Sequence, residues 1–123
     1  MTRRVASAAL VANGLLHLVL AGGYLERSPL LAVLFVIGAV ALAVAAWFLW
    51  DSAHQLGWAL GLTVCTVMAA SFVMSRTIGF LGFHQPEWTA GGIVALMLEA
   101  TFAVTYGLRR LALHPPARQA LQR

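Results

Sequence analysis

Four apolar stretches, each about as long as a bilayer is thick, leave this chain little choice of fold. A hydrocarbon core about 30 Å across needs roughly 20 residues of helix. Residues Val5 to Leu25, Leu30 to Trp50, His54 to Ser75 and Thr89 to Leu108 each supply that length. In lipid the backbone must satisfy its own hydrogen bonds, and a helix does so within one segment. The expected fold class is therefore all-α, an integral membrane four-helix bundle forming a single domain over residues 1–123. Composition agrees: 61% of the chain is hydrophobic and 10% charged. A soluble domain carries about 25% charged residues, so lipid must replace water around most of this molecule.

Each span is punctuated. Glu26-Arg27-Ser28-Pro29 separates the first from the second, with Pro29 well placed at a helix start. Asp51-Ser52 can cap the third helix through a side-chain oxygen. The fourth begins after Pro86-Glu87-Trp88 and ends at Arg109-Arg110. The first apolar run exceeds the 7–15 residues of a signal core and contains Asn13 and His17, so a retained first helix is expected.

Orientation follows from the arginines. With four spans both termini share a side, which holds Arg3, Arg4, Arg109, Arg110, Arg118 and Arg123, against Arg27 and Arg76 opposite. By the positive-inside rule both termini are expected to be cytoplasmic, with residues 112–123 as a basic cytoplasmic tail. Tyr24 and Trp88 then mark the outer interface, and Trp47, Trp50 and Tyr106 the inner one. Topology and anionic lipid head groups account for the basic balance, so the bilayer is the expected partner and no nucleic acid is invoked. Cys65 is the single cysteine, which rules out an intrachain disulfide.

Where every helix face is apolar, small and polar residues mark the interior. On the third helix Gly57, Gly61, Cys65 and Ala69 recur every four residues, and Arg76 continues the stripe; the expected role is close helix packing. Asn13, His17 and Tyr24 share a face of the first helix, and Gly92, Ala95, Glu99, Phe102 and Tyr106 one of the fourth. The second helix has no polar residue between Leu30 and Trp50. It is expected to be the most lipid-exposed of the four, or to form an oligomer contact through Gly38, Ala41 and Ala45.

Glu99 is the one acidic residue inside any span. A carboxylate at that depth is costly unless it is protonated, paired or facing water. At 1.5 Å per residue it lies roughly 15 Å below the outer helix end, and His17 roughly 12 Å. Glu99 is therefore expected to face His17, with Asn13 one turn deeper. Burial disfavours charge on both groups and favours a neutral hydrogen-bonded pair, while mutual attraction favours the ion pair. The pair can act as a static interhelical bond or as a proton-binding site.

The outer loop, from Ser75 to Trp88, is the second candidate. It is apolar, with Phe80 and Phe83 expected to dip toward the interface and Arg76 to bridge to Glu87 or Glu26. His84 and Glu87, helped by Glu26, could ligate a divalent metal. The run Ser75-Arg76-Thr77-x-Gly79, followed by Gly82-Phe83-His84-x-Pro86-Glu87-Trp88, resembles a loop in small four-span membrane proteins of high-GC bacteria. There it reads roughly Ser-Arg-Thr-x-Gly-Leu-Pro-Gly and then Pro-Glu-Trp-Glu. His17-Leu18 and Leu98-Glu99-Ala100 are similar too. The resemblance implies the same architecture and the inner (plasma) membrane of a bacterium, and supplies no reaction. Leu81 stands where a proline is expected and Thr89 where an acidic residue is, which weakens a carboxylate-rich metal site.

No nucleophile–base pair, phosphate-binding glycine loop or paired cysteines can be named, which points away from an enzyme. The leading expectation is a non-enzymatic accessory subunit that forms a homo-oligomer or joins a larger membrane complex. One alternative is a proton-coupled small-solute transporter working as an oligomer through Glu99 and His17, near Asn13 and Arg76. Another is a binder of metal, haem or quinone at the outer mouth.

Overall fold

The computed structural model describes residues 2–51 and 54–113. It contains four helices, α1 (Thr2–Tyr24), α2 (Pro29–Trp50), α3 (His54–Thr77) and α4 (Ala90–Leu113), each long and apolar enough to cross a bilayer. Among the described residues there is no strand beyond one isolated bridge between Phe80 and Phe83. The expected class holds, and the helices run up to five residues past the expected ends. Backbone hydrogen bonding does not stop where the apolar run stops, so α4 carries Arg109 and Arg110 in its last turns. Ser52 and residues 114–123 of the basic tail lie outside the described residues.

Consecutive helices pack side by side, and α1 closes the ring against α4. Neighbours around the bundle are therefore α1, α2, α3 and α4 in chain order, each antiparallel to the next. The α1–α2 turn is compact: the Tyr24 carbonyl accepts from the Ser28 amide at 2.8 Å. The Ser28 carbonyl then accepts the first bond of α2 from Ala32 at 3.1 Å, with Pro29 opening the helix. At the other end of α2, the Asp51 amide donates to Trp47.

The half of the bundle that carries the termini is solid. Leu10, Leu42, Leu49, Trp58 and Phe102 are fully buried along its axis. Trp58 and Phe102 meet with ring centroids 5.3 Å apart, and the Arg109 guanidinium lies over the Trp58 ring. The small-residue stripe of α3 permits this packing as expected. A methyl group on Gly57 would sit 2.7 Å from the backbone nitrogen of Leu49, and one on Gly61 would strike the Phe102 ring at 2.5 Å.

The expectation for α2 is corrected. It is more enclosed than α3 or α4, and α3 is the most lipid-exposed of the four. The reason lies in where its small residues point. Ala39 faces Gly14 of α1, Ala45 faces Gly57 of α3 and Gly38 meets Met68, so the stripe is used inside the subunit. Van der Waals contact between small residues is what drives helices together in lipid, where apolar surface alone gives no preference. Ala41 lines a cavity at the opposite end.

Candidate functional site

A cavity of about 340 Å³ occupies the other half of the bundle, between the helix ends and the α3–α4 loop. It exists because the positions that would fill it are small: Gly38 and Ala41 on α2, Ser71 on α3 and Ala95 on α4 all line it. Around them stand the aromatic rings of Tyr24, Phe35, Phe72, Phe80 and Phe83. Such a volume and apolar lining suit a small ligand. Ile37 and Val67 belong to the wall yet are 58% and 59% exposed on the outer surface of the bundle. The cavity therefore opens sideways between α2 and α3, toward the surrounding lipid.

Two ionisable side chains from the middle of the spans reach it. Glu99 and His17 both line the cavity, and each is 5% exposed. The expected direct pairing of the two is corrected. Asn13, 1% exposed, takes the place of His17: its Nδ2 donates to Glu99 Oε1 at 3.4 Å, a long bond. His17 instead turns back on its own helix, where Nδ1–H donates to the Asn13 carbonyl at 2.9 Å. A carbonyl only accepts, so the ring nitrogen facing it carries the proton, and Nε2 of the neutral ring is an acceptor. Asn13 and His17 are four residues apart, one helical turn, which is what brings ring and carbonyl together. The edge of the His17 ring packs on Phe35 with centroids 5.4 Å apart.

Polar capacity is left over at this point. Glu99 Oε2 and Asn13 Oδ1 are buried with no hydrogen-bond partner, and no cation is paired with Glu99 among the described residues. An unpaired buried polar atom costs about 1–3 kcal/mol, more for a charged group. In a native fold such an atom calls for an explanation.

Arg76 closes the loop end. It is 7% exposed although it sits in the last turn of α3. The expected bridge to Glu87 or Glu26 is replaced by two other contacts. Its Nη1 donates to the Gln85 carbonyl at 2.7 Å, and its guanidinium lies 4.5 Å from the Phe72 ring centre. Nε is buried and unpartnered. Both carboxylates are exposed and solvated, which gives them little reason to leave water for an ion pair.

Gln85, which the sequence reading passed over, organises the loop. Its amide donates to the Ser75 carbonyl at 3.0 Å, its carbonyl accepts from Arg76, and its side-chain oxygen accepts from the Tyr24 hydroxyl at 3.0 Å. Phe80 and Phe83 exchange two backbone hydrogen bonds of 2.8 Å across Leu81 and Gly82, whose φ angles are 49° and 77°. Two positive φ values in succession make a tight hairpin turn of the type that matches strand twist. Proline cannot adopt φ near 49°. The Leu81 departure noted above is therefore tied to the shape of this turn, which aims both phenylalanine rings into the cavity rather than at the interface.

The expected metal set does not assemble. Among the described residues no three of His, Cys, Asp and Glu come together as a metal-holding group. His84 and Glu87 border a shallow cleft with Arg27, and that guanidinium opposes a bound cation. Trp58 and Thr105 were likewise unread in sequence. Trp58 neighbours the glycine stripe of α3, which was the available clue, while the Thr105 hydroxyl donates to the Thr101 carbonyl of its own helix. Comparison of the chain with protein-family models, with curated proteins and with solved structures gave no match.

Proposed function

We propose that this protein is a non-enzymatic membrane component that takes a small amphipathic molecule from the bilayer into the cavity between its four helices. The observation that carries the reading is a single wall shared by Glu99, His17 and Arg76. Polar atoms of Glu99 and Arg76 there are buried without partners, and the cavity is open sideways to lipid. A static interhelical bond needs no cavity beside it. An accessory subunit with no ligand of its own needs no open wall.

In this reading the termini face the cytoplasm of a bacterial inner membrane, because six of the eight arginines lie on their side. The cavity then serves the outer leaflet. It lies within one chain, so binding does not require the homo-oligomer or larger complex. Proton-coupled transport extends the same reading, with Glu99 as the group that exchanges a proton for the ligand.

The test is native mass spectrometry of the purified protein after gentle delipidation, comparing the natural chain with Ala41→Phe. That substitution puts a ring into the cavity from α2. A small adduct carried by the natural chain and missing from Ala41→Phe supports the reading. Identical spectra for both proteins would overturn it.

A further inference from the structure

We propose that the ligand of this cavity is a lipophilic amine, held with its ammonium on Glu99 and its apolar body leaving between α2 and α3. This rests on the cavity being a binding site, and sharpens that reading to one chemical class.

The first observation is the polarity of the cavity floor. Glu99 lines the cavity with one oxygen, Oε2, buried and unpartnered, while its other oxygen already accepts from Asn13. His17 spends its N–H on the Asn13 carbonyl, so its remaining ring nitrogen is an acceptor too. A floor made of acceptors asks for a donor, and an alkylammonium brings up to three N–H groups with a positive charge. A carboxylate or phosphate would meet the lone pairs of Glu99 and His17 there, and a like charge wherever Glu99 is ionised.

The second observation is that the carboxylate has no counter-charge of its own. Among the described residues the charged and titratable groups on the cavity wall are His17 and Tyr24 from α1, Arg76 from α3 and Glu99 from α4; α2 contributes none, and the Tyr24 hydroxyl is spent on Gln85. Arg76 sits in the last turn of α3, whereas Glu99 lies nine residues inside α4, a separation of roughly 14 Å along the bundle at 1.5 Å per residue. The guanidinium is moreover engaged by the Gln85 carbonyl and the Phe72 ring. Intramembrane carboxylates of this kind pair with cations in the bundle interior or in a ligand.

The third observation is the aromatic wall. Phe35 stands beside the floor, with the His17 and Tyr24 rings against it at 5.4 and 5.3 Å. Ring faces attract cations, more strongly where water is excluded. The exposed flanks of Ile37 and Val67 give an alkyl chain a continuous apolar path outward.

The experiment uses photoreactive ten-carbon probes on the full chain in lipid nanodiscs: a primary amine, the matching alcohol and the matching carboxylic acid. Cross-links to cavity residues are mapped by peptide mass spectrometry. The expected ranking in the natural protein is amine above alcohol above acid, with at least about a tenfold gap between the ends. Glu99→Gln should remove that gap, and Arg76→Gln should keep the amine ranked above the acid. The ranking in the natural chain decides the matter even if a variant does not fold. Labelling that favours the acid, lost in Arg76→Gln and kept in Glu99→Gln, would overturn the amine while leaving the cavity as a binding site. Labelling of the cavity by none of the probes, or labelling unmoved by Ala41→Phe, would overturn both.

Discussion

At the end of the bundle that carries the termini, Leu10, Leu42, Leu49, Trp58 and Phe102 close the axis completely. At the loop end the axis is hollow over about 340 Å³. Both halves contain the same device, an aromatic ring laid on a glycine of the facing helix. Phe102 of α4 covers Gly61 of α3 in the solid half, and Phe72 of α3 covers Gly92 of α4 in the hollow half. What differs is the rest of the layer. The solid half adds leucines from α1 and α2, where the hollow half has Gly38, Ala41, Ser71 and Ala95. Close packing of two helices does not by itself fill a four-helix axis. That takes large side chains from the other two.

The contrast can be broken by mutation. The largest effect is expected for Phe102→Ala, which removes the ring that plugs the solid half and should cost about 3–5 kcal/mol. Denaturant unfolding in detergent micelles reads it, and Phe35→Ala on the cavity wall should cost distinctly less. Equal losses would mean that the two halves are packed alike. Gly57→Val drives a side chain into the α2 backbone, which has no flexible atom to move aside, for an expected cost of about 1–3 kcal/mol.

Smaller effects sharpen the picture. Tyr24→Phe deletes the hydroxyl that donates to Gln85 and should cost about 1 kcal/mol. Hydrogen exchange should rise in the α3–α4 loop and stay unchanged around Trp58. The smallest effect is expected from Ala41→Phe, within about 0.5 kcal/mol, because the ring enters open space. Ala45→Phe, one turn further along α2 and fully buried, should be far worse. A melting-temperature comparison of that pair maps the boundary between the halves within a single turn.

Much of this was legible in the chain. Apolar length alone located all four helices, since lipid permits few other ways to arrange those residues. The faces carrying Asn13, His17 and Glu99 were also legible, because strongly polar groups in an apolar helix face the bundle interior. Partner choice was not. A depth counted from helix ends carries an error of about one turn, 5.4 Å, and one turn separates Asn13 from His17. The lipid exposure of α2 was misjudged for a related reason: a helix without polar residues can still pack through alanines such as Ala39 and Ala45. Gln85 gave no local signal, because its three bonds reach residues that come together only when the loop has folded.

Those three bonds have a mechanical meaning. Among the described residues they join the loop to both α1 and the end of α3 at one place, beside the Ile78 and Gly79 amides on the Met74 carbonyl. The polar tie to both helices thus meets at one residue, while the Phe83 ring on Tyr24 and the Trp88 ring on Phe72 add apolar ones. A shift of Gln85 is therefore felt at once by Tyr24 on α1 and by Ser75 and Arg76 on α3, so the cavity roof answers to both helices through one residue.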